Sequence, residues 1–472
     1  MATLGQHTLV DRRQLGGAFG VREAARRMSN LRWAELEILE LLGGWSEAML
    51  YPALRGGFGL QMFTQAVHCR DLGWALANLN RAKQQLQAPS DAFVRLCERI
   101  WLAEPPLLRL VGLYRVLKPH LLQAERRHAD LTDPVGDSFS VHVLQLCAAD
   151  HQRDITWGNA QIERLAATRA SRAEALSWQE VLEADLAESG GVAAEGAPAW
   201  WLPYADERAN ADEELVAARR ELPGRGELRS QGYTYRKVPG EALLPNGVQP
   251  FPEPLRYAAD VPGEPRPADA DAPASQPEGL RYAVHQLWLG ESRTVDRCGR
   301  FIVDFPDLPF GIKFDMAQQA WEEARHMEID AHIINLLGGS LGMYPFAARM
   351  PWRNTVGEPN PFVRLLRGHV VFEGSAAAAT NRWLADSEGW ASSAIHQGLE
   401  HLAADERVHI AFGNDWTLRL IGDQPERLAE AVEATIRQIE DSPGLREWPG
   451  RLRQRYLRRS PAKDRSLLGG EA

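Results

Sequence analysis

Two polar residues interrupt an otherwise apolar helical face in the stretch QAWEEARHMEIDAH, residues 319–332. Glu, Ala, Arg and Met are good helix formers, and neither Gly nor Pro breaks the run, so the segment predicts a helix. Residues three apart on a helix share a face. Glu323 and His326 are so placed, and the same face carries Ala320, Trp321 and Ile333. A carboxylate and an imidazole are therefore expected to point into a core. A charge there needs a partner, and a metal ion suits both groups.

Helical patterning of this kind runs through both ends of the chain, broken by short turns that contain Pro or Gly. It stops between about residues 190 and 278. ESGGVAAEGAPAWW and VPGEPRPADADAPASQPEG are rich in Pro, Gly, Ala and acidic residues, a composition that cannot build a packed core and reads as linker or surface excursion. On either side the chain repeats itself. AADHQRDITWGN at 148–159 matches AADERVHIAFGN at 403–414 at an offset of 255. QAVHCRDLGW at 65–74 is aligned with QAWEEARHME at 319–328 at an offset of 254, and Arg109 and Leu110 meet Arg364 and Leu365 at 255. A duplicated helical unit follows. The expected organisation is all-α, with one helical bundle over 1–190, a linker over 191–278 and a second bundle over 279–472.

Composition fits two such domains. A chain of 472 residues is long for one core, and 44% hydrophobic residues suffice to build two. With 53 Lys and Arg against 63 Asp and Glu, the net charge of −10 argues against nucleic acid as a partner. The basic run RLRQRYLRR at 451–459 reads as a solvated helix end. Four cysteines without paired spacing fit a reducing compartment. With no apolar run resembling a signal peptide or a membrane span, the expectation is a cytoplasmic protein without a membrane partner.

The second half holds two Glu-x-x-His pairs, Glu323 with His326 and Glu406 with His409, and each has a Glu upstream at matching distance. Glu291 lies 32 residues before Glu323, and Glu373 lies 33 before Glu406. About thirty residues separate the middles of two antiparallel helices joined by a short turn, and FPDLPFG at 305–311 supplies such a turn. Two hairpins packed together would gather four carboxylates and two imidazoles. ERRH at 125–128 has no Glu at that distance and reads as a chance match.

With these motifs the chain resembles the ferritin-like di-iron carboxylate superfamily, over about residues 281–425 directly and over the first half through the repeat. The resemblance implies two ferritin-like four-helix bundles in tandem, joined by the Pro/Gly-rich acidic linker. It implies two iron ions, with manganese as the alternative, held by Glu291, Glu323, His326, Glu373, Glu406 and His409. Glu323 and Glu406 would bridge the ions and serve as the catalytic carboxylates. EEARH and DERVH also look like the Asp/Glu-Glu-x-Arg-His signature of the oxygenase branch, with Arg325 in the first block and Val408 in its place in the second.

Carboxylate and imidazole donors without a thiolate suit iron or manganese on chemical grounds as well. Glu322 and Asp405, each directly before a candidate ligand, and Asp330, one turn beyond His326, are candidates to accept hydrogen bonds from ligand imidazoles. His369, four residues before Glu373 in HVVFE, is either an additional ligand or a core histidine. Ala376, Ala377 and Thr380 either leave room for a substrate or allow close helix packing.

In the first half the aligned positions are Glu37, Cys69, Leu72, Lys118, His151 and Asp154. A Leu in place of a His and a Lys in place of a Glu point to a metal-free, degenerate bundle; the other reading is a different site built from His68, His151 and Asp154. The expected activity is that of a non-haem di-iron oxidase or oxygenase that uses dioxygen on a small organic substrate. The absence of a nicotinamide or flavin fingerprint leaves the electrons to the substrate or an external donor. A ferroxidase, a dimanganese peroxide-consuming enzyme and a non-catalytic structural tandem bundle are the alternatives.

Overall fold

The computed structural model describes residues 16–46, 52–79, 86–194, 268–346 and 358–457. The expected linker falls outside them over 195–267, as does the N-terminal stretch 1–15. The described residues are helical, with no β-strand among them. Among the described residues no helix is long and apolar enough to cross a membrane.

In the first half α1 (Val21–Ser46) packs along α2 (Pro52–Asn78). A shorter α3 (Asp91–Leu102) follows, and then α4, which spans 106–131. Next come α5 (Ser138–Leu165), packed along α4, and α6 (Arg169–Ser189). In the second half α7 is Pro277–Asp304, α8 is Phe310–Leu336, α9 spans 361–386, α10 is Ser393–Ile421, α11 is Pro425–Ile439 and α12 spans 448–457. Local chemistry sets several starts. Ser90 and Ser392 accept hydrogen bonds from Phe93 N and Ile395 N at the starts of α3 and α10, and Thr168 forms a capping box with Ser171 at α6. Asn360 caps α9 ahead of Pro361, whose missing N–H costs nothing in a first turn.

The repeat shows in irregularities that spacing alone did not reveal. Both α4 and α9 widen into π-helix, over Gly112–Leu117 and Leu366–Phe372, and regular α-helix resumes at Lys118 and Glu373. A glycine of the following helix faces each widened turn. A Cβ at Gly158 would lie 2.0 Å from the Tyr114 ring, and one at Gly413 would lie 2.4 Å from His369 Cβ. The offset is not uniform. Pro52 and Phe310, which begin two helices of equal length, stand 258 positions apart, whereas Ser138 and Ser393 stand 255 apart. The alignment of α2 with α8 at 254 is thus corrected: His68, not Leu72, takes the place of His326.

The chain divides into two compact units, 1–254 with 294–325 and 255–293 with 326–472. The division passes through α7 and α8, each of which is an unbroken helix. In the first unit α2 meets the early part of α8 through Phe63, whose ring lies 5.4 Å from Phe314 and 5.7 Å from Trp321. Buried pairs join further helices of this unit, Arg55 of α2 with Asp296 of α7 and Lys313 of α8 with Glu40 of α1, both at 3.4 Å. Gly43 and Gly299 let α1 and α7 approach closely: a Cβ on Gly43 would stand 2.8 Å from the Gly299 carbonyl oxygen. In the second unit Leu280, Val284, Ile333, Ile334, Ile395, Leu399 and Leu402 form an apolar core.

Candidate metal centre

The six second-half residues lie on four helices: Glu291 on α7, Glu323 and His326 on α8, Glu373 on α9, and Glu406 and His409 on α10. Each side chain is between 0 and 3% exposed, so water does not solvate the carboxylates. Two donor groups form among them. Glu291, Glu323 and His326 bring one atom each to within 4.8 Å of one another, and so do Glu323, Glu373 and His409. Glu323 belongs to both groups. Its place beside His326 is fixed by the α-helix, which sets the two one turn apart. Gln319 Nε2 donates to Glu323 Oε1 at 2.9 Å and holds the carboxylate in place.

The imidazoles are oriented by carboxylates. His326 Nε2 lies 3.0 Å from Asp405 Oδ2, which leaves Nδ1 turned toward Glu291 Oε2 at 3.9 Å. His409 Nδ1 stands 3.5 Å from Glu406 Oε2, and the two rings are 5.7 Å apart between centroids. Glu406 therefore stands beside His409 rather than within either donor group.

The surrounding candidates divide. Asp405 contacts an imidazole, whereas Glu322 accepts from Gln318 Nε2 at 3.1 Å. Arg325 lies over the Trp321 ring at 4.5 Å, and Asp330 is fully buried. His369 is buried in the π-helical turn and joins neither donor group. Its reading as a residue one α-turn from Glu373 is corrected, because the wider π-turn changes which residues stand above one another. Ala377 and Thr380 are buried, and Ala376 is partly so.

The first half holds a second buried cluster, drawn from residues that the sequence reading largely passed over. Glu35, His68 and His151 bring donor atoms to within 4.8 Å of one another, and so do Glu35, Glu125 and Cys147. His151 Nε2 lies 2.7 Å from Glu35 Oε1 and 3.4 Å from Glu125 Oε1, and His68 Nδ1 lies 3.4 Å from Glu35 Oε2. Asp150 accepts from His68 Nε2 at 3.1 Å. Asp154 does not join: it pairs with Lys118 Nζ at 2.6 Å. With its amide nitrogen toward Glu35, Gln65 donates to Glu35 Oε2 at 2.5 Å and accepts from Lys118 Nζ at 3.2 Å.

Glu35, rather than the aligned Glu37, enters these groups; of ERRH, Glu125 enters one of them and His128 does not. A residue-by-residue helix register finds Glu35, since Glu35 and Glu291 are the fifteenth residues of α1 and α7.

Charge is tightly coupled in this cluster. Burial disfavours the Glu35 carboxylate, but His151 and then His68 outweigh it and hold the group well below the usual carboxylate range. Burial pulls His151 down, while Glu35 and Glu125 push it up to about 10. Burial raises Glu125 above its ordinary value.

No family model matches this chain, and neither does any curated protein or solved structure.

Proposed function

We propose that the second half holds two redox-active ions on Glu291, Glu323, His326, Glu373, Glu406 and His409, and that the protein is a non-haem di-iron oxidase or oxygenase of a small organic substrate. The fold that goes with this reading is a tandem of two ferritin-like four-helix bundles. One observation carries it: Glu323 is shared between two buried donor groups, each with its own histidine and its own second carboxylate. A carboxylate shared in this way suits a pair of ions rather than one.

The donor set fits iron, with manganese as the alternative, because it offers carboxylate oxygen and imidazole nitrogen and no thiolate. Four buried carboxylates also need about as much positive charge as two divalent ions bring. Bound there, such ions supply the electrons for the reduction of dioxygen.

The protein's own groups do the rest. Asp405 fixes the His326 tautomer so that Nδ1 faces the carboxylates. Gln319 orients Glu323. The near-complete burial of the six side chains keeps bulk water away from them.

Metal analysis of the full chain followed by oxygen-uptake measurements tests the reading. Two ions per chain, with oxygen uptake that depends on an added organic compound, is the expected result. Uptake driven by ferrous ion alone would indicate a ferroxidase, peroxide consumption with manganese a dimanganese enzyme, and a metal-free chain a structural bundle.

A further inference from the structure

We propose that the first half carries a metal site of its own, in which Glu35, His68, Glu125 and His151 hold a single divalent first-row transition ion of the zinc type. This inference does not depend on the activity proposed above. It revises the expectation that the first half is metal-free.

Glu35, His68 and His151 bring one donor atom each to within 4.8 Å of one another, and Glu125 adjoins them through Glu35 and His151. The side chains of Glu35, Glu125 and His151 are fully buried, and that of His68 nearly so. His151 Nε2 is directed at both carboxylates, and His68 Nδ1 at Glu35 Oε2. The hydrogen bond from His68 Nε2 to Asp150 places the ring proton on the outer nitrogen and leaves the inner one its lone pair. A carboxylate behind a histidine in this way is the usual support of a metal-ligating imidazole.

Glu125 points to the same occupant independently. Neither of its oxygens has a hydrogen-bond partner among the described residues; Oε1 stands at the 3.4 Å already noted from His151. An interior carboxylate in that condition is costly unless a cation meets it, either the His151 imidazolium of the ion-free cluster or a metal ion that takes its place. Glu35 and Glu125 together balance a divalent charge.

The same geometry limits the site to one ion. Where the second half has Glu373 and His409, this half has Lys118 and Asp154, closed on each other at 2.6 Å. The Lys118 ammonium already supplies the cation there and would repel a second ion. Glu125, meanwhile, stands where the second half has Thr380, about two turns beyond Lys118 on the same helix. The donor lost at Lys118 is thus replaced from a new position. Four donors around a single ion suit the four-coordinate preference of zinc or its analogue cobalt, and Cys147 lies within 4.8 Å of the Glu35 and Glu125 oxygens.

The test uses the full-length chain, stripped with chelator and loaded with Co(II). In a Glu323→Gln, Glu406→Gln variant the second-half set is impaired while the first half is untouched. That variant should retain a single ion per chain, with the visible d–d absorption of a low-coordinate nitrogen/oxygen site. Adding Glu125→Gln and His151→Gln should abolish it, and Asp150→Asn should weaken Co(II) binding roughly 10–100-fold. In the otherwise native chain, Glu125→Gln alone should lower the metal count by one ion. A helical Glu323→Gln, Glu406→Gln variant that binds no Co(II), or a band that survives removal of Glu125 and His151, overturns the proposal. A native chain that binds only one Co(II), with the first-half band present, would sink the di-iron reading and leave this one standing.

Discussion

His326 Nε2 meets Asp405 Oδ2 at 3.0 Å, and this contact is repeated in the first half by His68 Nε2 and Asp150 Oδ2 at 3.1 Å. In each pair the histidine comes from the second helix of the repeat and the aspartate from the fourth. The six second-half positions have only partial counterparts in the first half, so the outer contact is kept while several inner groups differ. Its use in fixing the tautomer is common to both. Asp405→Asn should therefore weaken second-half metal binding roughly 10–100-fold while the helical content is unchanged. Titration of the stripped chain with ferrous ion, followed by circular dichroism, checks both halves of this expectation.

The glycine that faces each π-helical turn gives a second test. Gly413 lies against His369 in the second half as Gly158 lies against Tyr114 in the first. Gly413→Ala would force a methyl to 2.4 Å from His369 Cβ and 3.1 Å from the Leu365 carbonyl oxygen. It should destabilise the protein by about 1–3 kcal/mol, as overpacking does. Gly56→Ala, on α2 with nothing within 4 Å of the new atom, should instead stabilise by about 0.5–1 kcal/mol. Denaturant unfolding of the two variants should move in opposite directions.

Part of the second-half grouping was legible through local links: three-residue spacing set Glu323 beside His326, and a hairpin's length set Glu291 opposite Glu323. The approach of Glu373 and His409 to Glu323 joins two hairpins, and Glu406 stands outside both groups. The first half was misread for a reason that is equally physical. Its helices keep their own registers, but the connections between them differ in length, since surface connections tolerate insertions. A single offset taken across α1 and α2 therefore put Glu37 in the place of Glu35 and Leu72 in the place of His68. The π-turns were invisible for another reason: Gly112–Leu117 and Leu366–Phe372 differ from α-helix by one residue per turn, and their composition is ordinary for helix. Glu125 escaped because it has no counterpart carboxylate in the second half, where Thr380 stands.

His128 predicts a pH dependence. Burial, with a smaller contribution from Arg27 and a small opposing one from Glu23, lowers its pKa from 6.5 to about 4. Neither ring nitrogen has a hydrogen-bond partner among the described residues, and Phe19 packs against the ring at 5.1 Å. The imidazole is thus neutral when folded and takes a proton near pH 6.5 when unfolded. Its contribution to stability is complete above pH 6.5, is lost as pH falls toward about 4, and amounts to about 3 kcal/mol over that window. His128→Leu should remove this part of the acid limb and leave neutral-pH stability equal or higher. Unfolding free energies of both proteins between pH 7 and pH 4 measure the difference, and parallel curves would show that His128 is protonated in the fold.

The role of Glu323 separates from that of Glu291 by stoichiometry. Glu323 enters both second-half donor groups, with Glu291 and His326 in one and with Glu373 and His409 in the other, whereas Glu291 enters only the first. A carboxylate shared by two ions serves both charges at once, while one held by a single ion can be replaced there by water. Glu323→Ala should accordingly empty both second-half positions, and Glu291→Ala should cost one ion or weaken it selectively. Both side chains are buried carboxylates, so a general effect of removing interior charge would be similar in the two variants and cannot produce this difference. Metal counts on the full-length variants, read with oxygen uptake, decide the matter: equal losses at the two positions would mean that Glu323 does not bridge.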